Sequence, residues 1–308
     1  RDRDVKIPSS TGFGSMMVNS GHITNEGLEL TGKFYVLQNT PLKWNIDANI
    51  SFNRNRIGGL KADQFAQKLW SSADEVFIQR NGCPIGAIYG YVEDGFYDNL
   101  AEVMASPSAD IRAKGAGMIG EIKYRNFDDN PDITSADRVI IGDTNPDFVY
   151  GLTSNFEWKG VTLSFFLQGS QGNDIFNGNL MDMKMGNVGN ITREAYNTRW
   201  TEANAAQAKW PKAVSGYERN MLISNRYVED GSYLKLKSLN IGYVWKPNFK
   251  GISNVNVYAS ATNLFTITGY SWFDPEVNAF GSDASRRGVD VYSYPSSRTF
   301  SLGIKVDF

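Results

Sequence analysis

From Leu42 to Asn53 the chain alternates without a fault. Leu42, Trp44, Ile46, Ala48, Ile50 and Phe52 take one parity, and Lys43, Asn45, Asp47, Asn49, Ser51 and Asn53 take the other. Side chains of a strand point alternately to its two faces, so this segment is a strand with one apolar and one polar face. Its twelve residues exceed the common strand of ~5–6. They match the ~9–11 that a tilted strand needs to cross a bilayer.

The same pattern recurs along the chain. Asn25 to Gln38 sets Leu28, Leu30, Phe34 and Val36 against Glu29, Thr31, Lys33 and Tyr35. Phe148 to Trp158 and Val161 to Gln168 flank the two-residue turn Lys159-Gly160. Beyond Gly231, Leu239, Ile241, Tyr243 and Trp245 align, while Leu234 and Leu236 sit on the opposite parity. Either a bulge intervenes, or the upper half of that strand stands clear of the apolar layer. Asn254 to Phe265 follows, and Ser297 to Phe308 closes the chain with Phe300, Leu302, Ile304, Val306 and Phe308 on one face. Glu75 to Gln79 and Ile85 to Tyr97 read as strand pieces, and Thr192 to Ala208 can be helical.

Composition narrows the function classes. A net charge of -2 lacks the basic footprint that nucleic acid requires. One histidine, His22, argues against zinc or Ser-His chemistry, and one cysteine, Cys83, excludes an internal disulfide framework. No apolar run reaches the ~18 residues of a membrane helix. Alternating barrel strands escape that test, because their hydropathy signal is weak. No signal peptide opens the chain at Arg1, which reads as a piece of a longer protein.

The connections are lopsided. Short links at Asn39 to Pro41, Lys159-Gly160 and Lys246 to Ser253 alternate with excursions of roughly thirty to ninety residues, against a median loop of ~4–6. Those excursions are Arg54 to Asn145, Gly169 to Tyr227 and Thr266 to Ser296. Short turns at one end and long loops at the other are the habit of outer-membrane barrels. A soluble β-sandwich, as an adhesin or glycan-binding module, is the alternative, although its strands are usually shorter. If Phe308 ends on the periplasmic side, all three excursions and Arg1 to His22 lie outside. The count is then seven spanning strands, or nine if Glu75 to Gln79 and Ile85 to Tyr97 also cross. Neither number closes a bacterial barrel, so the segment is an arc, and its free edges predict that it does not fold alone.

Several blocks resemble the C-terminal part of SusC/RagA-family TonB-dependent transporters of Bacteroidetes-type bacteria. They are Pro8 to Phe13, Asn19 to Glu29, Pro84 to Tyr91 with Asp94-Gly95, Asn145 to Gly151 and Phe165 to Asp174. Late in the chain come Val228 to Lys237, Ala261 to Thr266, Phe273 to Glu276 and Tyr294 to Thr299. The resemblance implies an all-β fold, an arc of about seven to nine antiparallel strands from a plugged barrel of ~22 strands with long extracellular loops. Residues 1–308 then form the C-terminal part of the barrel, with the plug and N-terminal strands elsewhere. It further implies active import of oligosaccharide or oligopeptide across the outer membrane, a SusD-like surface lipoprotein over the loops, and the TonB complex acting on the missing N-terminal part. Ser301, Gly303, Val306 and Phe308 resemble the signal read by the barrel-assembly machinery.

Candidate sites follow from residue type. Asn126, Asp128, Asn130, Asp132, Thr134 and Asp137 stand at the oxygen-ligand positions of an EF-hand-like loop, where calcium seeks such crowding. Pro131 occupies the place of the turn glycine, so a solvated acidic turn is the competing reading, and no other cofactor is expected. Tyr270, Trp272, Phe273, Tyr292 and Tyr294 crowd the last long loop, and Trp200 and Trp210 lie in the second. These aromatics can stack on cargo, meet a lid protein, or pack on one another. Trp44, Trp158 and Trp245, near the short turns, form an interfacial girdle against the lipid bilayer. Glu93-Asp94 is a conceivable acid–base pair, but nothing orients a nucleophile beside it, and no enzyme is expected.

Overall fold

The alternating segment proves to be the first part of a longer strand, Leu42–Gly58. The computed structural model describes residues 2–6, 9–13, 15–19, 21–68, 75–185, 190–214, 221–248, 251–281 and 283–308. Within it seven strands build one large sheet. They are β1 His22–Leu37, β2 Leu42–Gly58, β3 Phe148–Trp158, β4 Val161–Gln171, β5 Tyr233–Trp245, β6 Asn254–Thr268 and β7 Thr299–Asp307. Every strand pairs antiparallel with its neighbours in the chain, so the order across the sheet is the order of the sequence. Arg1, Pro8 and Ser20 of the sequence blocks lie outside the described residues, as do 249–250 in the β5–β6 link and 186–189 and 215–220 in the second excursion.

Register keeps the two faces apart across the whole sheet. Phe34, Ile46, Ser154, Phe165, Leu239, Ala261 and Phe300 stand side by side on one face. Tyr35, Asn45, Asn155, Ser164, Asn240, Ser260 and Ser301 form the next row, on the other. The one hydroxyl in the apolar row, that of Ser154, accepts a 2.9 Å hydrogen bond from the Trp44 indole, which removes its desolvation cost. Among the described residues no second sheet covers the apolar face, and Phe300 and Leu302 are 72% and 79% exposed. A sandwich would bury that row between two sheets.

Two irregularities keep the pattern in phase. Against β4 the register of β5 slips between Leu236 and Ser238, so Lys237 is a bulge. Leu234 and Leu236 therefore share the apolar face with Leu239 and Ile241 despite their parity, facing Ile267 and Phe265. In β1 the extra residue is Val36, and Leu37 takes the apolar place opposite Trp44. The β3–β4 hairpin turns on Lys159 and Gly160, both at positive φ (46° and 86°), the signature of a type I′ turn.

The excursions carry secondary structure and a core of their own. Residues 64–68, 75–79, 87–90 and 139–143 form a four-stranded sheet, and Asp174–Asn177 lies between Val228–Asp230 and Val289–Asp290 in a three-stranded one. The strand pieces at Glu75–Gln79 and Ala87–Gly90 belong to the four-stranded sheet, and Glu93–Phe96 pairs with Ile122–Tyr124; none of the three joins the large sheet, which counts seven strands. Phe77, Ile88, Ile122, Phe176, Tyr227 and Val289 are wholly buried together. These six come from all three excursions, so the loops fold as one cap. Thr192 caps a short helix, Arg193–Thr198, but the predicted helix does not continue to Ala208. Trp200 turns inward instead, its amide donating to the Trp210 carbonyl.

Candidate functional site

The polar face of β1–β3 is a wall of amides and charges. Asn155 donates to Asn45 at 2.9 Å, and Ser164 donates to Asn155 at 2.7 Å. Lys33 pairs with Asp47 and Lys43 with Glu157. Toward the long-loop end this wall becomes a recess of about 440 Å³. Asn25, Ser51, Asn53 and Asn55 reach it from β1 and β2, Asn145 from the end of the first excursion, and Arg287 from the third. Asn55 and Asn145 form its fixed floor. Asn55 donates to Asn145 at 3.0 Å and accepts from the Ile85 amide at 2.7 Å, while Asn145 donates to the Ile85 carbonyl at 2.6 Å.

A second cluster fastens the third excursion to the sheet. Lys235 of β5, 1% exposed at its side chain, meets Asp274 at 2.9 Å and also Glu276. Lys237 reaches Glu276 at 2.7 Å, and the Tyr233 hydroxyl donates to it at 3.1 Å. Asp274 also accepts from the Ser296 amide at 3.0 Å. Burial alone would raise the Asp274 carboxyl, but the Ser296 and Lys235 hydrogen bonds outweigh it and bring the pKa down to about 2. Glu276 is lowered in the same way, burial being outweighed by Lys235 and Lys237. Three of the late sequence blocks therefore meet at one point. Their residues had been noted for resemblance, and only the fold reveals the ion-pair cluster.

The aromatic candidates divide. Trp200 and Trp210 are buried in the cap core. Tyr270 is buried too, donating to Asp290 at 2.7 Å; burial and then that bond push its phenol pKa upward. Trp272 and Phe273 pack edge to face at 5.2 Å, with Phe273 largely exposed. Tyr292 and Tyr294 are exposed and border a recess of about 490 Å³ beside Asp274 and Glu276. Tyr292 sits at φ 53°, uncommon for a residue with a Cβ, with its amide bonded to Asn179 at 2.6 Å.

The Asn126–Asp137 loop is organised by its own hydrogen bonds. Asn126, Asp128 and Asn130 each accept from the amide two residues on, at 3.0, 2.8 and 3.1 Å. Asp137 accepts from the Phe127 and Thr134 amides, both at 2.7 Å, and Asp132 accepts from Ser108. Among the described residues no three His, Cys, Asp or Glu side chains converge as a metal cluster. Glu93 is held by Arg226 and Ser224, and Asp94 lies 3.7 Å from Arg125.

Outward-facing aromatics mark two levels of the sheet. Trp44, Trp158 and Trp245 lie at the short-turn end, where Trp44 stacks on Phe156 at 5.3 Å. At the long-loop end Phe52, Phe148 and Tyr150 form a second group, with neighbouring centroids 5.6 and 6.0 Å apart; the sequence reading missed it. On β7, Gly303 lies under the Tyr258 ring, where a Cβ would collide with it, and Ser301 pairs with Ser260. Val306 faces Val255, and Phe308 is almost fully exposed.

No family model matches the chain. It is 33% identical to TonB-dependent receptor P3 of Formosa agariphila, over 98% of this chain and 30% of that protein. It is 27% identical to TonB-dependent receptor SusC of Bacteroides thetaiotaomicron, over 99% of this chain and 28% of that one. The RagAB peptide importer in its open-open state superimposes with a TM-score of 0.75 at 21% identity, covering 100% of this chain and 31% of that chain. The chain thus spans about 30% of the length of the curated relatives it matches, and those relatives are receptors, not enzymes.

Proposed function

We propose that this chain, a member of the SusC/RagA-type TonB-dependent receptors, supplies part of the wall and the outer loops of an outer-membrane importer of oligosaccharides or oligopeptides. One observation carries the reading: the sheet turns a predominantly apolar face outward between two levels of aromatics. The eleven residues of β3 at ~3.4 Å each, tilted by about 40°, cover roughly 26 Å of depth, the height of the apolar band of a membrane barrel. In water such a face would forfeit about 1.5–3 kcal/mol for each large side chain left unburied. In lipid that cost vanishes.

The polar face then lines the lumen, and the cap stands outside the cell. A SusD-like lipoprotein would sit over the cap, where Phe273, Tyr292 and Tyr294 are available to it or to cargo. TonB would act through a plug domain, and the barrel-assembly machinery would read Ser301, Gly303, Val306 and Phe308. The test is made on the complete receptor. It should need detergent for extraction, migrate faster on gels before boiling than after, and support TonB-dependent uptake of an oligomer. Full solubility without detergent decides against the reading.

A further inference from the structure

We infer that the recess above β1 and β2 binds the C-terminal carboxylate of an extended oligopeptide, with Arg287 as its anchor. The inference rests on the import reading. Arg287 belongs to the connection between β6 and β7, at the far edge of the sheet from β1, yet it lines a recess floored by the first hairpin. The third excursion therefore brings Arg287 to the opposite edge of the sheet from the strands it connects.

Its platform is rigid on both sides. Arg286 is fixed to Asp283 at 2.8 Å and lies over the Phe280 ring. Gly288, at φ 73° and so close to Thr144 that a Cβ would not fit, accepts from the Phe176 amide at 2.8 Å. Val289 is buried, and Asp290 is held by Tyr270 and Ser293. Between these anchors the Arg287 side chain is exposed, with no hydrogen bond or ion pair among the described residues. With its backbone held and its guanidinium unpaired, Arg287 can take a ligand without breaking a protein contact, at the ordinary cost of ordering one side chain.

The lining selects the ligand. No carboxylate lines the recess; Asp143 is occupied by the Asn145 amide groups behind its floor at 2.7 and 2.9 Å, and Glu29 is bonded to Ser51 from outside it. The guanidinium fork matches a carboxylate in two parallel hydrogen bonds. Asn25 and Asn53 also lack partners among the described residues, and each amide side chain both donates and accepts, as a peptide group does. Ser51, Asn53 and Asn55 follow one another on the polar face every second residue, a step of ~6.7 Å that equals the two-residue repeat of an extended peptide.

The experiment uses the complete receptor in detergent, titrated with a synthetic octapeptide of alanine, serine and glycine, as the free acid and as its C-terminal amide. Loss of the charge-assisted pair should weaken binding about tenfold. Arg287→Ala and C-terminal amidation should each produce that loss, and the two together should lose no more than either alone. Arg287→Lys should fall between, since it keeps the charge without the fork, and Asn53→Asp should repel the acid more than the amide. Heat-dependent gel mobility reports whether each variant remains assembled. Independent, additive losses, or no loss from either change, overturn the inference. Binding of trigalacturonate that depends on Arg287, with no peptide binding, overturns the peptide assignment. If TonB-dependent uptake persists while Arg287→Ala has no effect, this inference fails and the import reading stands. If no probe is taken up in a TonB-dependent manner, both fail.

Discussion

In the sheet, Phe34, Phe165 and Phe300 stand in one row and face outward; in the cap, Phe77, Phe176 and Tyr227 are wholly buried. One chain thus treats the same residue type in opposite ways. The sheet satisfies its backbone internally, strand to strand, and leaves its side chains for an apolar solvent. The cap gathers its apolar side chains inward, as any domain folding in water does. Mean composition hides this, because an outward and an inward phenylalanine count alike.

The largest effect should come from removing the sheet's surroundings. The 308-residue segment expressed alone in aqueous buffer should aggregate, because β1 and β7 present free edges beside a bare apolar face. A soluble, monodisperse product in gel filtration would contradict the assignment of faces. Next, Phe176→Ala in the complete receptor should cost the cap ~3–5 kcal/mol. Residues 172–232 should become sensitive to protease, while heat-dependent gel mobility persists. Concurrent loss of both would mean that cap and sheet are one cooperative unit.

Adjacent residues allow a sharper contrast. Phe165 faces outward beside Leu239, and Phe166 faces the polar side beside Ser238. Phe165→Arg should destabilise the barrel by ~2–4 kcal/mol, read by refolding into liposomes against urea. Phe166→Arg should assemble near normally. Equal effects would argue that the sheet has no lipid side.

The smallest effect expected is that of mild acid on the latch at Lys235. The pKa values of Asp274 and Glu276 are lowered in the fold, so their stabilising contribution is complete above the ordinary carboxylate range. It is lost only as pH falls toward about 2, the value for Asp274. Hydrogen exchange of residues 266–298 should therefore be unchanged between pH 8 and pH 5 and should rise only well below pH 4. Opening of the loop near pH 6 would place another group in control.

Much of the sheet was legible because its pattern is local. Strict alternation located β2, β3, β4 and β7, and the unequal links ordered them as a meander. The sequence allows two readings around Lys237, since a parity break looks the same whether a residue is inserted or a strand leaves the apolar layer. The cap is not legible in the sequence because its core is assembled from residues far apart in the chain. Phe77, Phe176 and Val289 leave no common period. Among the candidate aromatics, nothing local separates buried Trp200 from exposed Tyr294. The recess left only a partial trace, the asparagines of β2 and Asn145, and Arg287 left none.

The sequence by itself determined which residues share a face, because in an extended chain facing is a property of parity. It also determined that one end of the sheet carries long connections. Only the tertiary structure decided that those connections fold together, that Lys235 meets Asp274 and Glu276, and that Arg287 and Asn53 line one recess. Such contacts depend on the path of the chain through space, and the closure of a long loop adds so little free energy with length that its far end can be placed almost anywhere the packing rewards.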